Sequence, residues 1–427
     1  MHLAVVCINY APELTGISVQ TTALCEHLAR QGHKVSVITA FPFAPHWRVF
    51  PGYRGRLFQR EDVNGVSLYR VKHFIPARPR RLLERLLHDA TFALGAFLAS
   101  FLVGDVDLVL YIGAQPAAAL SALAAARLRK RPFAAKVTDL AVEAGVAVGT
   151  VRSGLLAKVF GALEYAIYRA ADSAIVLCDG FADALIEHGL PRNRLATIHD
   201  SVDLELVRPL ADDGAFRAAN GLAGDDFVVM HSGSISFKQG LDVVLAAARR
   251  AGRESKVKWV LVGDGPDRRR LEAERDRARL HAAIALAPFQ PVEKLAQTLS
   301  AADALLLTQL AGITSSALPS KLLMYMAAGR PVVASVSGDS ESARLIRQAD
   351  CGLVAPAEDP AGLLDAIERL RADPELGRRL GSNGRAFAER HFDRDKIVAA
   401  QQRLLEAVAR PAPDHQRQQC VDERPRS

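Results

Sequence analysis

The stretch Leu318-Pro319-Ser320-Lys321-Leu322-Leu323-Met324-Tyr325-Met326-Ala327-Ala328-Gly329-Arg330-Pro331-Val332-Val333 decides how the chain is read. Pro319-Ser320 has the character of a helix start, since proline is tolerated in a first turn and serine caps it. Gly329 is a helix stop, and Pro331-Val332-Val333 opens a buried strand. A helix feeding directly into a strand is one unit of a parallel sheet. Its start faces the carboxyl end of the sheet, where free amides suit a pyrophosphate or a ribose.

Outward from this unit the same alternation fills the chain. Apolar spacing predicts strands over residues 227–231, 258–262, 304–307 and 331–336, and helices over 241–250, 271–280 and 322–328. Nearer the N-terminus it predicts strands over 3–8, 34–39, 106–112, 133–137 and 173–177, with a helix over 21–31 and an apolar one over 90–103. The fold class is α/β, as two doubly wound, Rossmann-like domains facing a central cleft. Pro209, Gly214, Gly221 and Gly224 mark the seam. The expected division is a first domain over 1–206, a linker over 207–226 and a second domain over 227–390. A last helix over 391–410 and a disordered Pro-, Gln- and Arg-rich tail over 411–427 follow.

Composition bounds the function. The net charge is +7, and ten Lys or Arg against three acids between Arg48 and Arg85 account for all of it. The rest of the chain is balanced, so it is not a generally basic protein, and no nucleic-acid motif is present. The basic segment runs into the apolar 90–103 stretch. Arg78, Arg80, Arg81 and Arg85 are therefore read as facing an anionic membrane surface, with a solvated loop as the alternative. No apolar run is long enough to span a bilayer. The five cysteines are widely spaced and form no CxxC pair, which fits free thiols in the cytosol. The N-terminus has no basic region before its apolar run, so a first strand is expected there rather than a signal peptide.

Four loops carry candidate chemistry. Asn9-Tyr10-Ala11-Pro12-Glu13-Leu14-Thr15-Gly16-Ile17 follows the first strand, and Gly16 lets a ligand approach the backbone, unless the run is a plain βα turn. Gly233-Ser234-Ile235-Ser236-Phe237-Lys238-Gln239-Gly240 offers amides and a lysine to a phosphate; it is not a P-loop. Gly263-Asp264-Gly265-Pro266 ends a strand in a tight turn. Asp139 also ends a strand, where it either serves as a catalytic carboxylate or caps the next helix. Asp105-Val106-Asp107 has the spacing of a metal-binding pair but directly precedes a buried strand, and is read as accidental. His199 and His231 are read as structural.

Taken together and in order, these runs resemble the family-4 glycosyltransferases, which have the GT-B fold. Asp200-Ser201-Val202-Asp203 and Phe289-Gln290-Pro291 agree as well. The nearest branch is the WcaI/WbuB-like transferases of bacterial surface polysaccharide assembly, which show similar Asn-Tyr-Ala-Pro-Glu and Pro-Ser-Lys-Leu runs. The resemblance implies retaining transfer of a sugar from a nucleotide-sugar, UDP-linked, to a lipid-linked saccharide acceptor, by an enzyme peripheral to the inner face of the plasma membrane. The nucleotide-sugar is a substrate; no cofactor and no metal are expected. The first domain is expected to bind the acceptor and the second the donor. Donor contacts are assigned to Gly16, Gly233, Ser234, Gly265, Pro266 and Phe289, and on the quoted helix to Pro319, Ser320, Lys321 and Leu322. Asp139 and Lys238 are assigned catalytic roles.

One departure matters. Many members carry two glutamates, with seven residues between them, around the donor helix; the matching positions here are Ser316 and Met324. Glu341 is the nearest carboxylate able to substitute. Two alternatives follow: a nucleotide-sugar-binding protein with impaired catalysis, or a nucleotide-sugar epimerase of the same fold.

Overall fold

Residues 1–14, 16–78, 81–140, 155–252, 254–312 and 319–410 are described by the computed structural model. The quoted stretch forms the helix Ser320–Ala327 and the strand Val332–Ser335, as the reading requires. Arg80, Ser316 and the expected tail over 411–427 lie outside the described residues.

The first sheet contains β1 (His2–Val6), β2 (Lys34–Ala40), β3 (Phe58–Val63), β4 (Val66–Val71), β5 (Leu108–Gly113), β6 (Phe133–Val137), β7 (Ser173–Val176) and β8 (Leu195–Thr197). Its order is β3-β4-β2-β1-β5-β6-β7-β8, and only β3 runs antiparallel to its neighbour. Its helices are α1 (Gly16–Arg30), α2 (Leu82–Ser100), α3 (Pro116–Leu128), α4 (Leu155–Arg169) and α5 (Asp179–Glu187). The central strands β1, β5 and β6 are buried at every position because both faces are covered. Val6 and Tyr111 feed one core, whereas Leu3, Val5 and Leu110 feed the other.

The second sheet repeats this plan. It contains β9 (Phe227–Ser232), β10 (Val257–Val262), β11 (Ile284–Ala287), β12 (Ala304–Thr308), β13 (Val332–Ser335) and β14 (Gly352–Ala355), all parallel in the order β11-β10-β9-β12-β13-β14. The short helix α6 (Ala215–Ala219) precedes it. Around it lie α7 (Asp242–Ala251), α8 (Arg268–Arg277), α9 (Leu295–Ser300), α10 (Ser320–Ala327), α11 (Glu341–Gln348), α12 (Pro360–Ala372) and α13 (Pro374–His391). Met230 and Leu305 face one core, and Val229 and Leu306 the other.

The chain then turns back. Val202 N–H donates to the Phe392 carbonyl at 2.8 Å, beside the start of α14 (Arg394–Ala409). Helix α14 lies on α1. Glu406 Oε1 is 3.0 Å from His33 Nε2, Gln402 Oε1 is 2.8 Å from His27 Nε2, and Leu405 joins the core beneath β1.

Two expectations need correction. Helix α1 begins at Gly16, ahead of residue 21, because Ser18 and Thr21 are buried along with the apolar positions. Helix α2 spans Leu82–Ser100 instead of 90–103, so it starts inside the basic segment. That segment also contains the β3–β4 hairpin and buries Arg70, which bonds the carbonyls of Ala11 and Ala40 and the Glu61 carboxylate, while Arg78 and Arg81 lie exposed in irregular chain before α2. Among the described residues, no helix is long and apolar enough to cross a membrane.

Candidate active site

The carboxyl ends of both sheets face one cleft, and two helix starts meet in it. A β-carbon on Gly16, at the start of α1, would lie 3.0 Å from Ser320 Oγ, at the start of α10. Pro319 occupies the cap position of α10 with no side-chain cap, and the first-turn amides there are oriented for an anion. Helix α10 is held from behind by its own tyrosine. The Tyr325 hydroxyl accepts from Ser232 N–H at 2.8 Å and donates to the Ser232 carbonyl at 3.1 Å, tying the helix to the end of β9.

The loops after β9 and β10 form the floor. Gly233 N–H donates to Val262 O and Ile235 N–H to Asp264 O, both at 2.9 Å, so the ladder continues past the strands. The backbones approach so closely that a β-carbon on Gly263 would overlap the Gly233 carbonyl, and one on Gly265 the Ile235 carbonyl. Both glycines have positive φ, at 148° and 155°, which other residues rarely adopt. Gly265 is thus required by the loop itself. Pro266 and Phe289 stand exposed at the rim, and Ser234 is exposed on the loop.

Two lysines stand over this floor. Lys238 is exposed on the loop, whereas Lys321 is buried in the first turn of α10, and its Nζ lies 2.5 Å from Gln239 Oε1. Asp139 faces them from the end of β6 in the first domain. Burial holds its carboxyl at about 6, while the nearby Lys238 ammonium and the Leu140 amide pull it down. Among the described residues its Oδ1 is buried without a hydrogen-bond partner, so it is available to a substrate hydroxyl. Tyr168, also with an unpartnered hydroxyl, lies within electrostatic reach of Asp139.

Other expected residues have different surroundings. Leu322 is buried in the second-domain core, and its amide already donates to the Pro319 carbonyl at 3.0 Å. Glu341 sits on the seam between the domains. Arg344 bonds it at 2.6 Å, and a β-carbon on Gly180 would come within 2.7 Å of its Oε1. Asp105 and Asp107 lie at the amino end of β5, away from the cleft. Asp107 accepts the His2 N–H at 2.7 Å, and Asp105 pairs with Arg131. His199 bonds the Leu177 carbonyl, and His231 is buried beneath the Gly233 loop. Asp200 pairs with Lys136, and Ser201 is bonded through N–H, carbonyl and hydroxyl to Gln20 of α1.

The sequence reading gave Glu13 no role. Its carboxylate is buried and accepts from Phe43 and Ala44 N–H at 2.7 Å and from Asn9 Nδ2 at 2.8 Å. Burial raises its proton affinity and these donors oppose the rise. It pins the loop that delivers Gly16 to the cleft. Its place in the Asn9–Glu13 run was the available signal.

Residues 15–200 match the glycosyl transferase 4-like domain and residues 212–387 the glycosyl transferases group 1. The WcaI protein of Escherichia coli K12, assigned as a colanic acid biosynthesis glycosyl transferase, is 27% identical over 93% of this chain and 98% of its own. A D-inositol 3-phosphate glycosyltransferase of Catenulispora acidiphila is 30% identical over 71% of this chain and 73% of its own. Among solved structures, sucrose-phosphate synthase of Thermosynechococcus elongatus superposes with a TM-score of 0.74 at 21% identity, over 96% of this chain and 99% of that one. HepE of Anabaena, in complex with UDP-glucose, gives 0.69 at 17%, over 96% and 99%. With the paired sheets and the cleft between them, these likenesses identify the chain as a group 1, family-4 glycosyltransferase of the GT-B fold.

Proposed function

We propose that the protein transfers a sugar, with retention of configuration, from a UDP-linked donor to a lipid-linked saccharide, as a step in surface-polysaccharide synthesis. The observation that carries this reading is the meeting of Gly16 and Ser320 over a glycine floor, with Asp139 opposite. The donor diphosphate fits at the start of α10, against its amides and Lys238. These groups stabilise charge that grows on the diphosphate as the sugar leaves. Asp139 orients the acceptor hydroxyl, and the departing diphosphate helps to take its proton. The relatives named above support the donor and the pathway class: WcaI is assigned to colanic acid synthesis, and HepE was solved with UDP-glucose.

Helix α2 supplies the proposed contact with the membrane. Leu83, Leu87, Leu94 and Leu98 share one exposed face, continued by Phe101 and Leu102, while Phe92, Ala96 and Ala99 bury the opposite face. Arg78, Arg81 and Arg85 are exposed beside its start. An apolar stripe flanked by arginines matches the surface of an anionic bilayer.

A thermal-shift screen with UDP, GDP and ADP tests the donor reading. UDP at about a hundred times its Kd should stabilise the fold by about 2.7 kcal/mol. Stabilisation by GDP or ADP alone, with none by UDP, sinks it.

A further inference from the structure

Resting on the donor reading above, we propose that Lys321 is the main cation for the donor diphosphate, that it waits in the empty cleft as a neutral amine, and that donor binding takes up one proton. The argument starts from its position. Lys321 is the second residue of α10, and side chains there point back toward the helix start. Its stem therefore crosses the open end of the helix toward the Gly233–Gly240 loop. A β-carbon on Gly233 would be 3.6 Å from Lys321 Cε and 3.7 Å from Nζ, and Nζ lies 2.5 Å from Gln239 Oε1. The amine thus stands beside the glycine floor and the amides that suit a diphosphate.

Among the described residues, its surroundings leave a charge there uncompensated. The side chain is 8% exposed. From the loop it meets Gln239, which carries no charge, while Lys238 lies near Asp139. From β9 it faces His231, which burial keeps neutral. From its own helix, Tyr325 has its hydroxyl committed to Ser232. From α1 the neighbour is Gly16, through Ser320. A buried ammonium without a counter-ion is costly, and the positive end of α10 adds to the cost. Burial accordingly brings the amine down to about 7, with no carboxylate opposing it. A diphosphate seated at the same helix start supplies the missing negative charge. The bound amine then gains a proton from solvent and becomes an ammonium.

The test is calorimetric titration of the full chain with UDP at pH 8, in HEPES and in Tris, whose ionisation enthalpies differ. UDP is fully ionised at that pH, so the ligand contributes no proton. The expected result is uptake of close to one proton, with Kd rising toward tenfold per pH unit above neutrality. Lys321→Arg, whose guanidinium stays charged, should bind UDP with no uptake, and Lys238→Ala should keep the uptake. UDP binding with the same heat in both buffers overturns the proposal and leaves the donor reading intact. No UDP binding to the unaltered chain overturns both.

Discussion

Gly16 and Ser320 stand opposite each other in the cleft, and a β-carbon on the glycine would lie 3.0 Å from the serine oxygen. This approach brings together the starts of two helices from different domains, and it sets separate expectations for stability and activity. Position 16 is the first residue of α1, where little helix propensity is at stake, and a methyl there would lie 3.0 Å from the serine oxygen, a tight contact that a turn of the serine side chain relieves. The methyl also takes space at the donor's place. Gly16→Ala should leave Tm nearly unchanged while weakening the UDP-induced shift. A lower Tm with an unchanged UDP shift would make the contact purely structural.

Asp139 carries a sign that can be checked. Its carboxyl holds its proton to about 6 in the folded chain, above the ordinary value of 3.8. The folded state therefore binds more protons than the unfolded state between these values, and stability falls as pH rises through that window. Above about 6 the buried carboxylate is a net cost. Asp139→Asn should stabilise the protein at pH 7.5 by on the order of 1–3 kcal/mol. The same change should lower turnover by about 100-fold or more. Turnover of the unaltered enzyme should decline below about pH 6. A destabilised Asn variant in urea titrations would contradict the burial argument.

Lys238 is coupled to that titration. Its ammonium helps to keep Asp139 ionised against burial. In Lys238→Ala the acidic limb of the pH–rate profile should move to higher pH, and kcat should fall by about 10²–10³. A fall in kcat with an unmoved limb would place Lys238 on the diphosphate alone.

Membrane attraction separates charge from apolar contact. Arg78→Gln with Arg81→Gln removes two exposed charges, each worth about 1 kcal/mol near an anionic surface. Partition onto vesicles containing anionic lipid should fall about thirtyfold, and raised salt should mimic the change. Leu94→Ser with Leu98→Ser should weaken binding at every salt concentration. Arg85 is less suitable, because its guanidinium stacks on Trp47 at 5.5 Å and its loss also disturbs packing. Unchanged partition in both double variants would remove α2 from the membrane account.

Local pattern made the two sheets legible. Phe133–Val137 is a strand with the bounds that its apolar run predicts, and the Ser320-Lys321-Leu322-Leu323 run falls at the start of α10. The β3–β4 hairpin was not foreseen, because β3 is an edge strand with four consecutive polar residues, Gln59 to Asp62, inside a basic segment. The signal was Asn64-Gly65, both at positive φ, the pairing that closes a two-residue hairpin. Lys321 illustrates the other limit. A lysine on a helix start is ordinarily exposed, and only the loop after β9, far away in sequence, buries this one. Glu13 is similar, since its partners Phe43 and Ala44 lie on a different loop. Burial of charge is a tertiary property, and no periodicity reports it.

The most direct measurement is transfer itself. The full chain is incubated with UDP-sugars and a polyprenyl-diphosphate-linked sugar, and the new glycosidic bond is examined by NMR. The account expects a lengthened lipid-linked saccharide whose new anomeric centre keeps the donor's configuration, with product greatly reduced in Asp139→Asn and Lys238→Ala. A product of inverted configuration, or equal turnover in both variants, would contradict it.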